Sequence, residues 1–262
     1  MTIVLLTDFG LSDTYVGIMK GVIAGIAPNA KVIDLTHDIR PQDVRHGAYA
    51  LKIAAPYFPA ETIFVAVVDP GVGSNRQAIA VRANNQTFIV PNNGLLSHIV
   101  HEYGTESIVL LENERYRLKT ISSTFHGRDI FSPAAAHLAH GVEFADLGRP
   151  LANEELVLFA PPKNEPLNQN SWRGEIIHID RFGNLISSLT AEEISQESSN
   201  WLFSICNATV SKLSKTYTEV AEGELVAYIG SDGFLEVGMR NGHAAERLRA
   251  RLGDEIRARK VK

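Results

Sequence analysis

The chain has 262 residues, 45% of them hydrophobic, with 25 basic side chains against 30 acidic ones and a formal net charge of -5. That content supports one large core or two modest ones. The lack of a basic cluster, apart from the acid-interrupted terminal RLRARLGDEIRARKVK, excludes a phosphate-tracking nucleic-acid face. The one cysteine, Cys206, forms no intrachain disulfide and fits a reducing cytoplasm. The start, MTIVLLTDFG, has a short apolar run and no basic leader, and no run reaches membrane-spanning length, so neither a signal peptide nor a membrane span is expected.

In chain order, the β-branched apolar runs TIVLLT (2–7), KVIDLT (31–36) and TIFVAVV (62–68) predict strands buried on both faces. Between them, YVGIMKGVIAGIA (15–27) and VRHGAYALKIAA (44–55) carry helical periodicity and predict crossover helices. The result is a largely parallel α/β sheet, assigned to an N-terminal domain over 1–158. The polar, proline-bearing stretch around APPKNEPLNQNS predicts a linker over 159–171. Beyond it GEIIHID (174–180), LFSICNATV (202–210), ELVAYIG (224–230) and FLEVGM (234–239) predict strands with no long helix between them. The expected C-terminal domain, 172–262, is a smaller antiparallel, β-barrel-like unit.

Ligands of parallel α/β sheets bind beyond the carboxyl ends of the strands. Three such ends are TDFG (7–10), THDIRPQD (36–43) and VDPGVGSNR (68–76). Taken singly, Asp8 is as readily a helix cap and Asp69 a turn former as either is a ligand. Two aspartates at equivalent strand ends point to a shared cleft. The glycines of DPGVGS form neither a nucleotide P-loop nor a dinucleotide fingerprint, and a tight turn is expected there. The nine histidines match no metal signature; His137 and His140, at helical spacing, are expected to face solvent or to be satisfied in the core. STFHGRDIF (123–131) crowds Phe, His, Gly and an Arg-Asp pair just before the alanine-rich SPAAAHLAHG, which poses the choice between an ordinary helix start and a site.

Taken together, LLTDFG, GVIAGIAPNAKVIDLTHDI, VVDPGVGSNR, PNNGLL, STFHGRDIF, IDRFGN and GSDGFLEVG resemble, in this order, the S-adenosyl-L-methionine (SAM) hydroxide adenosyltransferases. These adenosine-forming SAM hydrolases are relatives of the fluorinases and chlorinases. The resemblance implies an N-terminal α/β domain, a C-terminal barrel-like domain, and a homotrimer whose sites lie where the N-domain of one subunit meets the C-domain of the next. It implies the reaction of SAM with water to adenosine and L-methionine, with no metal and no cofactor. The family's catalytic trio falls on Asp69, Arg76 and His126. Gly127 stands where the halogenating relatives other than the chlorinase carry serine, leaving room for a small nucleophile.

Sulfonium chemistry suits such a trio: methionine leaves as a neutral thioether and needs no acid, so the task is to position water at C5′ and accept its proton. His126 is the natural acceptor, with an Asp69–Arg76 ion pair holding the water and tuning the local charge, and the sequence alone leaves open which of Asp69 and His126 takes the proton. For substrate contacts the resemblance implies Asp8 on the ribose hydroxyls, Asp180 on the methionine amine, Asn184 on the adenine edge, Ser231 on the amino-acid end, and Phe182 and Tyr217 beside the base. Glu236 of GFLEVG joins this substrate-binding set. Phe125 lines the pocket or merely packs, and Asn93 of PNNGLL is a turn residue or a pocket donor. Departures from the family pattern are Arg40, Asp232 and Arg240, which bear on substrate recognition more than on the reaction. The alternatives are a SAM- or nucleoside-binding regulatory module with negligible turnover, and a halide-using adenosyltransferase.

Overall fold

The structure, a computed structural model, describes residues 1–162, 164–194 and 200–261. Residues 195–199 and 262 of the expected C-terminal domain, and residue 163, lie outside the described residues. The chain forms two compact units, Met1–Pro161 and Pro162–Lys262.

The first unit runs β1 (Thr2–Thr7), α1 (Tyr15–Ile26), β2 (Lys31–Thr36), α2 (Val44–Ala54), β3 (Ile63–Val67), β4 (Ala78–Ala83), β5 (Gln86–Pro91), α3 (Ser97–Tyr103), β6 (Ser107–Leu110) and α4 (Ser132–Ala139). Its sheet has the order β2-β1-β3-β5-β4-β6, parallel from β2 to β5, with β4 antiparallel to both of its neighbours. Successive strand residues point to opposite faces, so each face builds its own core. Ile3, Leu5 and Val65 pack with Met19 and Ile23 of α1 and Ala134 and Ala135 of α4; Val4, Leu6 and Phe64 pack with Leu51 of α2 and Ile99 of α3. Each fully buried aliphatic side chain contributes about 1.5–3 kcal/mol of transfer free energy. This sandwiching holds the ends of β1 and β3 side by side, Thr7 opposite Val67.

The second unit runs β7 (Glu165–Asn168), β8 (Ser171–Ile179), β9 (Leu185–Thr190), β10 (Trp201–Ile205), β11 (Ala208–Val210), β12 (Leu225–Ile229), β13 (Phe234–Met239), α5 (Ala244–Leu248) and β14 (Glu255–Lys260). The strand order is β11-β10-β14-β8-β9-β13-β12, with β7 added beside β8, and every strand pair is antiparallel. Leu213, just past β11, bridges to Ala227 of β12, so the two ends of the sheet return toward each other in a nearly closed barrel.

Three expectations change. The strand β2 is not buried on both faces: it is the sheet edge, with Lys31 and Asp34 exposed and its other four residues half-buried. The stretch expected as linker, 159–171, holds β7 and the first residue of β8, because an extended backbone there completes the ladder along β8. The run 202–210 is two strands, not one: Cys206 adopts a left-handed conformation (φ 50°) and turns the chain so that Ile205 pairs with Ala208. Asn84 and Asn85, both at positive φ, close the β4–β5 hairpin in the same way; asparagine tolerates that region better than most residues. Among the described residues, no helix is long and apolar enough to cross a membrane.

Candidate active site

In the first unit the site grows from the carboxyl ends of β1 and β3. Behind the TDFG loop, Thr7 Oγ1 lies 2.8 Å from Nδ1 of buried His37, the Phe9 N–H donates to Thr7 Oγ1, and the Gly10 N–H donates to the His37 carbonyl. His37 therefore acts as a buttress for the loop that carries Asp8. The Asp8 carboxylate accepts the Gln42 N–H through Oδ2 at 2.8 Å, which leaves Oδ1 for other partners. Asp43, in the neighbouring strand end, caps α2 by accepting the His46 N–H. A cavity of about 320 Å³ opens here, lined by Asp8, Phe9, Gln42, Asp69, Phe125 and His126 among others.

Asp69 makes the expected turn with its backbone and an ion pair with its side chain: its carbonyl accepts the Val72 N–H, and its carboxylate pairs with Arg76. Arg76 Nε donates to Asp69 Oδ1 at 3.1 Å, Nη2 donates to Asp69 Oδ2, and Nη2 also lies 3.0 Å from His126 Nδ1. The guanidinium stands over the Phe131 ring. With side chains only 7% and 4% exposed, this is no surface ion pair of the kind worth less than about 1 kcal/mol. Removing one partner of a shielded pair strands the other's charge, which typically costs about 3–5 kcal/mol.

STFHGRDIF is a helix start and a cavity wall at once. His126 opens a π-helical turn, Gly127–Phe131, that runs into α4; such turns recur at functional sites. Fully buried Asp129 ties the turn to the preceding loop: Oδ2 accepts the Ser122 N–H at 2.8 Å and Oδ1 accepts Arg128 Nε. Burial opposes ionisation of Asp129, but those hydrogen bonds outweigh it and hold the carboxyl below its usual range. Burial, then the Arg76 charge, lowers the His126 pKa; Asp69, Asp129 and the Ser122 backbone pull the other way less strongly. Gly127 lines the cavity next to His126. A Cβ there would lie 3.3 Å from Met19 Sδ and from the rings of Phe125 and Phe9, so a larger residue would press on those apolar neighbours. Phe125 both lines the cavity and packs edge-on against Phe9 and Tyr15. Asn93 is a turn residue: Nδ2 donates to the Val68 carbonyl and Oδ1 accepts the Leu95 N–H. His137 is half-buried, edge-on to Tyr116.

In the second unit, Asp180 and Asn184 hold one turn together. Asp180 Oδ1 accepts the N–H groups of Phe182 and Asn184, and Oδ2 accepts Asn184 Nδ2 at 2.7 Å. Tyr217 and Tyr228 share a hydroxyl–hydroxyl bond, and Tyr228 donates to Glu236 Oε2 at 2.6 Å. Burial, together with the nearby Asp180 and Asp232 charges, raises the Glu236 pKa against the Tyr228 hydrogen bond. A Cβ on Gly238 would lie 2.7 Å from Asn184 Oδ1 and 2.8 Å from the Tyr217 ring, so these groups form one cluster. Phe182 is 74% exposed, and Ser231 is exposed beside Asp232. Sequence reasoning missed His37, Gln42, Asp129 and Tyr228. Only Tyr228 had a local signal, since alternation across the β12–β13 ladder sets it opposite Glu236.

Carboxylates at neighbouring parallel strand ends and a shielded carboxylate–guanidinium–imidazole trio define an enzyme of the α/β kind, here extended by a barrel-like β unit. Residues 3–148 match the SAM hydroxide adenosyltransferase N-terminal domain and residues 174–257 the C-terminal domain. The chain belongs to the SAM hydroxide adenosyltransferase family. It is 39% identical to an (R)-S-adenosyl-L-methionine hydrolase of Thermus thermophilus, over 96% of this chain and 97% of the relative. A fluorinase of an Actinoplanes species is more distant, at 26% identity over 89% of each chain. The fold matches the crystal structure of a conserved protein from Thermotoga maritima with a TM-score of 0.92 and 35% identity, covering 98% of this chain and 100% of that one.

Proposed function

We propose that this protein hydrolyses S-adenosyl-L-methionine to adenosine and L-methionine by in-line attack of water at C5′, without a resident metal or cofactor. The observation that carries this reading is the Asp69–Arg76–His126 constellation on the wall of the cavity that also holds Asp8. Relatives that match nearly the whole chain are named for the same reaction. Their names specify the (R) form of the substrate, and that form is the one expected here. Asp8, with one carboxylate oxygen uncommitted, receives the ribose diol. The cavity of about 320 Å³ lies near the lower end of ligand pockets, roughly 300–1,000 Å³. It suits the nucleoside part of the substrate. The amino-acid end and the base edge go to the Asp180, Asn184, Tyr217 and Glu236 cluster with Ser231 and Phe182, and we place that cluster in the site of a neighbouring subunit within a homotrimer.

Incubation with each sulfonium epimer of SAM in 18O-labelled water, with and without chloride, tests the reaction. Mass spectrometry should find the label in the 5′-hydroxyl of adenosine and none in methionine. Unlabelled adenosine, methylthioadenosine or 5′-chloro-5′-deoxyadenosine as the main product, or binding without turnover, would overturn the reading.

A further inference from the structure

Water attacking C5′ must lose a proton, and the choice of acceptor depends on which lone pairs around the cavity are free. A guanidinium is only a donor. Arg76 Nη2, 3.0 Å from His126 Nδ1, can therefore make that bond only if Nδ1 is the accepting nitrogen. A neutral imidazole has one accepting and one donating nitrogen, so the hydrogen is on Nε2. In that state His126 has no lone pair to offer water while Arg76 is in place. Asp69 is placed differently. Each of its oxygens accepts one hydrogen from Arg76, each keeps a further acceptor site, and the residue lines the cavity.

The geometry points to a division of labour within the trio: His126 is a positioning residue that holds Arg76 through Nδ1, and Asp69 is the group that takes the proton. As the C5′–O bond forms, the C5′–S bonding pair passes to sulfur to give the neutral thioether of methionine. The O–H bond of the attacking water breaks toward the Asp69 carboxylate, which then returns the proton to solvent. Arg76 keeps the carboxylate turned toward the nucleophile, and His126 keeps Arg76 from rotating away. This inference rests on the hydrolysis proposed above.

Side-chain shape offers a test. The amide oxygen of asparagine can occupy the position of Nδ1 and accept from Arg76, yet it takes up no proton; glutamine reaches the Nε2 position instead. H126N should keep kcat within about threefold of the wild type, whereas H126A and H126Q should lose roughly 10- to 100-fold, the worth of one charge-assisted hydrogen bond. Adenosine affinity and melting temperature, measured on all three variants, show whether each remains folded. Equal loss in H126N and H126A, or retention in H126Q alone, overturns the assignment. Nitrogen-15 NMR of histidine-labelled wild type, with the His126 signal identified by its loss in H126N, reads the tautomer without any turnover. A hydrogen on Nε2 is expected. A hydrogen on Nδ1, which would face the Arg76 donor and break that bond, overturns the proposal, while failure of the wild type to release adenosine from SAM overturns only the hydrolysis.

Discussion

Arg76 carries five N–H hydrogens, and three of them go to Asp69 and His126. The site is therefore sensitive to the charge on His126. Burial, then the Arg76 charge, lowers that residue's pKa from 6.5, and Arg76, Asp69 and Asp129 are the charged groups that face the ring. The unfolded chain binds this proton at a higher pH than the folded one does. The linked stability is complete above pH 6.5 and is lost as pH falls through the folded value. Activity should follow the same sign, because a hydrogen on Nδ1 would face another donor and release Arg76. A profile of kcat/KM against pH should hold through 6.5 and fall with a midpoint below it, and H126N should lack that limb. A wild-type midpoint above 6.5 would contradict this account.

Two elements carry the trio, and they meet at one glycine. Gly73 (φ +76°), in the loop after β3, lies so close to the loop before the π-helical turn that a Cβ on it would sit 2.3 Å from the Ser123 carbonyl oxygen. DPGVGS thus needs its second glycine for close approach as well as for the turn. Gly73→Ala would meet backbone, which cannot move aside like a flexible side chain, and would add left-handed strain of about 1–2 kcal/mol. It should push the His126 loop away from Arg76. We expect kcat to fall at least about tenfold while KM changes little, with a modest fall in melting temperature. Unchanged kcat in a folded Gly73→Ala protein would show that the two loops are positioned independently. Asp129 acts from the other side, holding Ser122 and the turn in register through its carboxylate.

For the whole molecule, the proposed homotrimer makes two variants complementary. Asp8→Ala damages the first unit's half of a site and Asn184→Ala the second unit's half. Each alone should be nearly inactive. Refolded together they should regain activity, because some hybrid sites draw both halves from intact copies. Light scattering should give three chains per particle. A fully active monomer, or no recovery on mixing, would remove the shared site.

Much of this was legible in the sequence because it is local. Apolar runs and helical periodicity place β1, β3, α1 and α2 within a residue or so, and with them the strand ends where Asp8 and Asp69 stand. The ordered motifs mark the trio and the family. Propensity did not distinguish the edge strand β2 from a central one, since an edge is defined only by which neighbour is missing. Nor did it show that residues 202–210 turn back at Cys206, an αL position taken by a residue with no special preference for it. The residue types alone supplied the available chemistry: two carboxylates at the ends of parallel strands, with a guanidinium and an imidazole in the loops further along the chain. Which atoms of those groups are free follows from how the folded chain brings them together. Nη2 of Arg76 meets Nδ1 of a histidine 50 residues away, while Asn93 turns its amide to the backbone. Hydrogen bonds depend on distance and direction in space, and desolvation depends on what packs around a group, and neither is carried by the spacing of residues along a chain.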